Sequence, residues 1–318
     1  MKRDRRFFEN KLIDCHTHCE GIALYNYLNG LTPCTMDTLL LAQTINSSKI
    51  DFAITFPMPW TLYYDSKEYI ENLVYKASGL CKVPYEIENT RILNTIKRNR
   101  CDALIPFMGI SLNDKVAEQI DLISNLMQEH YIYGIKYHTQ TDRHSAIDMS
   151  DYPALLDFIE KNNFPILFHS GKNRFTDPMS VLEFAKTHPH IRVCCAHAAW
   201  FRRDFFEALE NEKCSNLFFD IAPANSLLSG FLKNKRDNTI PVFEGEIDDV
   251  IGTLYKKYPE QLLWGSDIPY LDPDSIYVNG CKDKSLSYSE YEKILLGLED
   301  TVKYRIANVN VLDFIFGK

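Results

Sequence analysis

The sequence predicts one α/β domain over residues 1–318, a parallel eight-stranded (β/α)8 TIM barrel with loop insertions after strands 2 and 7. Three observations predict it. Short apolar runs alternate with helix-period segments along the whole chain, the rhythm of βαβ units. The runs are mostly continuously apolar rather than alternating, as strands covered on both faces must be. There are eight of them, and an open doubly wound sheet usually has fewer.

Taken in order, the expected strands are Lys11–Cys15, Ile50–Phe56, Ala103–Gly109, Tyr131–Tyr137, Pro165–His169, Ile191–Ala196, Asn216–Ile221 and Gln261–Gly265. Helix periodicity covers Met36–Ile45, Glu86–Arg98, Asp114–Glu129, Pro153–Lys161, Ser180–Thr187, Arg203–Glu210 and Glu246–Tyr258. Asn113 and Asp114 are expected caps for the third helix, and Ser287 with Glu290 fits a capping box. Residues 57–102 and 222–260 are longer than a simple crossover needs, and the second includes the polar stretch Ser229–Asn238. Long loops of this kind serve either as substrate lids or as inert surface insertions.

Composition narrows the class. The 318 residues are 45% hydrophobic and carry 43 acidic and 35 basic side chains, a net charge of −8. Without an extended basic stripe, nucleic acid is not an expected partner. The N-terminal basic cluster Lys2, Arg3, Arg5, Arg6 has no apolar segment after it, and no apolar run reaches transmembrane length. A cytoplasmic protein without a membrane partner is expected. Nine cysteines, an odd number in a long chain, read as reduced thiols packed as small apolar groups rather than as a disulfide framework.

The informative pattern is where the histidines fall. His16, His18, His169 and His197 each lie at or just past the end of an expected strand, which in a barrel puts them on one rim. Lys136 ends the fourth strand and Asp267 follows the eighth. In His16-Thr17-His18, residues i and i+2 of an extended chain share a face, so both imidazoles can reach one ion. Imidazoles with a carboxylate suit zinc and related divalent metals. A lone strand-end histidine is more often a satisfied rim residue; the joint pattern is what carries the reading.

Several segments together resemble the amidohydrolase superfamily, in its amidohydrolase-related branch of barrel metal-dependent hydrolases. They are Leu12-Ile13-Asp14-Cys15-His16-Thr17-His18, Gly134-Ile135-Lys136-Tyr137-His138, Pro165-Ile166-Leu167-Phe168-His169-Ser170-Gly171, Val193-Cys194-Cys195-Ala196-His197-Ala198, Leu263-Trp264-Gly265-Ser266-Asp267-Ile268-Pro269 and Ile306-Ala307-Asn308-Val309-Asn310. The resemblance implies that His16, His18, His169 and Asp267 bind a divalent metal, with Zn2+ the expected ion. It implies catalytic roles for Asp267, as general base, and for His197, beside the activated water or the substrate. One ion is favoured; with two, Lys136 is carboxylated and bridges them, and His197 ligates the second. Otherwise Lys136 binds an anionic substrate group or makes a rim ion pair. His138, Arg174 and Arg202 are further candidates for substrate contact, against the plainer reading of solvated charge. The expected partner is a small-molecule substrate, and a homodimer is a common assembly for such enzymes.

The leading functional expectation is hydrolysis of a C–O or C–N bond, as in a lactone or amide, through a metal-activated water. The alternative is metal-dependent, non-hydrolytic decarboxylation of an aromatic or unsaturated acid, which an arginine aimed at the metal would favour. A nuclease or phosphoesterase on a similar barrel, and a barrel kept as a non-enzymatic binding protein, are less favoured: the first often has glutamate where Lys136 stands, and the second has no need of a full ligand set.

Overall fold

The computed structural model describes residues 3–21, 36–222, 247–270 and 287–318. Eight parallel strands follow one another round a single sheet: β1 Ile13–Cys19, β2 Phe52–Pro57, β3 Leu104–Ile110, β4 Gly134–Tyr137, β5 Ile166–Phe168, β6 Val193–Cys195, β7 Leu217–Asp220 and β8 Leu262–Leu263. The short β8 reaches β1 through the turn beyond it. Cys15 N–H donates to Trp264 O at 3.0 Å, Asp267 N–H to His16 O at 2.8 Å, and His18 N–H to Ile268 O at 2.7 Å. These bonds close the barrel, as expected.

The helices between strands are α1 Thr38–Asn46, α2 Glu86–Asn99, α3 Val116–Leu126, α4 Pro153–Lys161, α5 Pro178–Thr187, α6 Arg203–Glu212 and α7 Ile247–Lys257, with α8 Tyr288–Gly297 and the closing helix α9 Asn310–Phe316 after β8. α4 begins at Pro153, where the fixed φ and missing N–H of proline cost a helix nothing. The expected cap of α3 is corrected. Lys115, in the left-handed conformation, occupies the N-cap. Asp114 instead accepts from Tyr63 O–H at 2.5 Å, and Asn113 Nδ2 donates to Asp142 O at 2.9 Å. Tertiary hydrogen bonds to other loops outcompete the local cap. The Ser287/Glu290 pair does meet, with Ser287 N–H donating to Glu290 Oε2 at 2.6 Å.

Alternate strand residues fall into two apolar groups. Ile13, Cys15, Ile54, Phe56, Ile105, Phe107, Leu167, Cys194, Phe218 and Leu263 pack inside the barrel. Their neighbours, such as Ala53, Leu104, Ile135, Phe168, Val193, Phe219 and Leu262, pack outward against the helices. Phe314 of α9 plugs the interior from the strands' N-terminal end, 6.0 Å from Phe107 and 5.6 Å from Phe218 between ring centres. That leaves the opposite mouth for the polar residues.

The connection after β2 runs from 58 to 85 and holds a short helix, Ser66–Asn72, and an aromatic cluster of Trp60, Tyr63 and Tyr64 packed with Tyr69 and Tyr75. Much of the long connection after β7, including Ser229–Asn238, lies outside the described residues. Cys15, Cys19, Cys81, Cys101, Cys194, Cys195 and Cys214 are free thiols. No helix among the described residues is long and apolar enough to cross a membrane.

Candidate metal centre

β1 runs past its expected end at Cys15 through His16 and His18, because its pairing with β2 continues from Thr17↔Thr55 to Cys19↔Pro57. Between Asp14 and Thr17 the register gains one residue on β1, a β-bulge. The bulge is what puts the imidazoles inside. Ile13 and Cys15 already face the interior, and strict alternation would send His16 outward; one extra residue shifts the parity so that His16 and His18 also face in.

Asp267 reaches the same place from a left-handed conformation, φ 63°, just after β8. His16 Nε2 and His18 Nε2 lie 3.2 and 3.3 Å from Asp267 Oδ1. That oxygen is buried and has no hydrogen-bond partner among the described residues. The opposite ring nitrogens are occupied: His18 Nδ1 lies 3.0 Å from Pro57 O, which can only accept, and His16 Nδ1 lies 2.9 Å from Asp220 Oδ2. With its Nδ1 protonated, a neutral His18 turns a bare nitrogen toward Asp267. An unpartnered carboxylate oxygen converging with imidazole nitrogens is the donor chemistry of a divalent-metal site, and these residues fit such an ion.

His169 follows β5 and does not converge with that triad. Its Nδ1 is 3.0 Å from His197 Nε2, its Nε2 is 3.2 Å from Gln140, and its ring stacks on His138 with centres 4.0 Å apart. His197 opens a left-handed turn in which five successive non-glycine residues, His197 to Phe201, have φ between +48° and +61°. Such a conformation costs roughly 1–2 kcal/mol per residue. It is held by His197 N–H and Nδ1 donating to Asp220 Oδ1 and Ala222 O, and by Trp200 Nε1 donating to Ser170 O at 2.6 Å. The turn aims the His197 ring inward, 5.1 Å from the ring of His16.

Lys136, buried at the end of β4, places Nζ 3.5 Å from His16 Nε2 and 4.7 Å from the centre of the Phe56 ring. Burial shifts the titrations of Lys136, His16, His18, His138, His169 and Asp267. Desolvation lowers Lys136 to about 8, against the pull of Asp220 and Asp267. It pushes His18 down to about 3, with the Lys136 charge second, and holds His16, His138 and His169 well below their usual value. It lifts Asp267 to about 7. Neutral imidazoles and a carboxylate that exchanges its proton near neutrality suit metal ligation and proton transfer.

A family model described as amidohydrolase matches residues 80–306. The chain belongs to the amidohydrolase family. The matched span runs from before β3 to just short of α9, so His16 and His18 enter the site from outside it. Members of the superfamily bind divalent metals and act on small molecules, and the candidate ligand groups are present here. No curated relative matches the chain by sequence. Solved structures share its fold. One is a probable 2-pyrone-4,6-dicarboxylic acid hydrolase from Acinetobacter baumannii with citric acid bound, 13% identical, TM-score 0.59, covering 97% of this chain and 100% of that one. A 2,6-dihydroxybenzoate decarboxylase from Rhizobium is 11% identical, TM-score 0.58, covering 96% and 98%. A dihydroorotase from Campylobacter jejuni is 14% identical, TM-score 0.55, covering 97% and 83%. Neighbours of both reaction types therefore share the amidohydrolase barrel.

Of the other candidates named from sequence, His138 joins the cluster through its stack on His169. Arg202 is held by Asp177 at 2.7 Å and by Asp204, and Arg174 is exposed and lies over the Phe175 ring. Neither contact leads to the triad. Sequence reasoning missed Asp220, which ends β7 wholly buried beside His16. The rule that picked out the histidines, polar residues at strand C-termini, applies to it equally. Asp14 was missed as well. Its Oδ1 accepts from His16 N–H and Ser266 N–H, and its Oδ2 from Tyr288 O–H, tying β1 to the turn that carries Asp267.

Proposed function

We propose that this amidohydrolase hydrolyses a C–O or C–N bond of a small molecule, such as a lactone or amide, at a divalent metal held by His16, His18 and Asp267. The observation that carries the reading is the meeting of two imidazole nitrogens with a buried carboxylate oxygen that has no other partner among the described residues. Zinc suits this donor set. When bound, the ion would lower the pKa of water at an open position from about 15.7 toward 7 and polarise the substrate carbonyl. Asp267 is the base: its carboxylate stands at the reacting centre, and burial brings its proton affinity near neutrality. His197, fixed by its bond to Ala222 O, presents Nε2 to the mouth, where it orients the substrate carbonyl or passes a proton. Lys136 forms the inner wall.

Decarboxylation would be favoured by an arginine aimed at the metal; the two candidates, Arg202 and Arg174, are engaged elsewhere, Arg202 with two carboxylates and Arg174 on Phe175, which favours hydrolysis. One observation favours a second ion: His169 Nδ1 and His197 Nε2 are 3.0 Å apart, a spacing natural to two ligands of one ion. Lys136, part-deprotonated near pH 8, would then take up carbon dioxide and bridge the two ions as a carbamate.

The test assays metal-reconstituted protein on a panel of lactones, cyclic amides and aromatic acids, following base consumption and carbon dioxide together, with metal counted per chain. Base consumption that is lost on chelation is expected. Carbon dioxide release without base consumption would replace hydrolysis by decarboxylation, and a protein that takes up no metal would overturn the enzymatic reading. Two ions per chain with a mass increase on Lys136 would select the second-ion form.

A further inference from the structure

We propose that Asp220 is a positioning residue that fixes the tautomer of His16, keeping its Nε2 bare for the metal. The inference rests on the metal-centre reading above and adds to it a residue outside the ligand set.

Asp220 ends β7, is wholly buried, and uses both carboxylate oxygens. Oδ1 accepts from His197 N–H and from Ala222 N–H, each at 3.0 Å. Oδ2 lies 2.9 Å from His16 Nδ1, with Cys194 Sγ at 3.7 Å. An ionised carboxylate has only lone pairs to offer, so the nitrogen facing it must carry a hydrogen. A neutral imidazole has one N–H. Once Nδ1 holds it, Nε2 is bare, and Nε2 is the atom 3.2 Å from Asp267 Oδ1. In the other tautomer two acceptors would face each other at 2.9 Å, and an N–H would project into the metal position. His18 is set the same way by the backbone carbonyl of Pro57, which no side-chain change removes. For His16 the closer contact is a side chain, Asp220 at 2.9 Å from Nδ1, and Lys136 Nζ, 3.5 Å from Nε2, faces the other nitrogen. Asp220 also holds the first N–H of the left-handed turn, so a single carboxylate contacts the ring of His16 and the backbone of His197. Carboxylates behind metal-bound histidines commonly act in this way.

Asp220→Asn isolates the effect because it keeps the shape. Two backbone N–H groups hold the amide oxygen in the place of Oδ1, which turns the amide NH2 toward His16 Nδ1. Nδ1 must then accept, and the proton moves to Nε2. Two measurements test this. In metal-free protein labelled with 15N-histidine, the His16 signal, assigned by its loss in His16→Gln, should show the Nδ1–H form in the wild type and the Nε2–H form in Asp220→Asn. Zn2+ affinity from chelator competition should fall by about 10–100-fold in the variant, with the melting temperature of the metal-free protein nearly unchanged. An unchanged tautomer with unchanged affinity would reduce Asp220 to a backbone brace and overturn the inference. An Nε2–H form in the wild type would overturn it without any variant, should Asp220→Asn fail to fold. A wild type that binds no Zn2+ but shows the expected tautomers would sink the metal reading alone, because the labelled spectra are taken without metal.

Discussion

Asp267 bears two demands that pull on one proton. As a ligand it must be ionised, yet burial raises it to about 7, so below that pH a metal ion must displace a proton to bind. His16 and His18 are pushed well down and offer no such competition in the same range. Metal affinity of the wild type should therefore weaken as pH falls below 7, by about tenfold per unit. Asp267→Asn should lose that slope, keep metal on the two histidines, and turn over about 10²–10⁴-fold more slowly because the base is gone. Undiminished turnover in that variant would remove Asp267 from the mechanism. A second prediction concerns Gly265. A Cβ there would lie 2.7 Å from His16 Cβ and 3.1 Å from His16 N, so the turn carrying Asp267 can approach β1 only without a side chain. Gly265→Ala should cost about 1–3 kcal/mol and weaken metal binding. Gly252→Ala, where a Cβ meets nothing within 4 Å in α7, is the matched control. Equal behaviour of the two variants in denaturation and metal titration would contradict the argument.

Among the elements, β1 and the closing helical segment decide whether the mouth is assembled. The β1 bulge was not legible, since Asp14-Cys15-His16-Thr17 contains nothing that marks an extra residue; only pairing against β2 reveals it. The helix starts were readable at Pro153 and Ser287, where apolar periodicity agreed with a proline or a capping pair, whereas α5 begins at Pro178, two residues before its expected start. They failed at Lys115, where nearby loops took Asn113 and Asp114. The Ile306-Ala307-Asn308-Val309-Asn310 segment acts as a fastener. Asn308 Nδ2 donates to Phe8 O at 2.8 Å and Lys11 O at 2.6 Å, and Asn310 Nδ2 donates to Pro259 O and Leu262 O. Together they pin the starts of β1 and β8, the strands that carry the triad. Asn308→Ala leaves two carbonyls without that donor and should destabilise by about 1–3 kcal/mol in urea unfolding. A change within about 0.5 kcal/mol, the spread of ordinary surface substitutions, would argue against the fastener.

Across the whole molecule, ligands from β1 and β8 belong to one ion only in the folded barrel, so metal and fold stabilise each other. At free ion a hundredfold above Kd the gain is about 2.7 kcal/mol. Chelation should thus lower the melting temperature of the wild type by several degrees. His16→Ala with His18→Ala should gain no stability from added metal, melt no higher than the chelated wild type because buried hydrogen bonds to Asp220 and Pro57 are also lost, and show the same far-ultraviolet spectrum. A double variant that still gained stability from added metal would locate the site elsewhere.

What the amino-acid order determined by itself was everything set by local pattern. The continuous apolar runs and the helical periods between them specify eight βα units, and the polar residues that end those runs must gather at one mouth once the sheet closes. That logic reached His16, His18, Lys136, His169, His197 and Asp267, and it applied equally to Asp220, which the sequence reading missed. Tertiary structure alone decided which of these atoms converge. The bulge that turns His16 inward, the left-handed turn without glycine at His197–Phe201, the pairing of His169 with His197 and the capture of Arg202 by Asp177 all depend on neighbours remote in sequence. The reason is physical: alternation and periodicity are encoded residue by residue, whereas strained conformations and hydrogen-bond choices are settled by whichever partner packing brings within 3 Å.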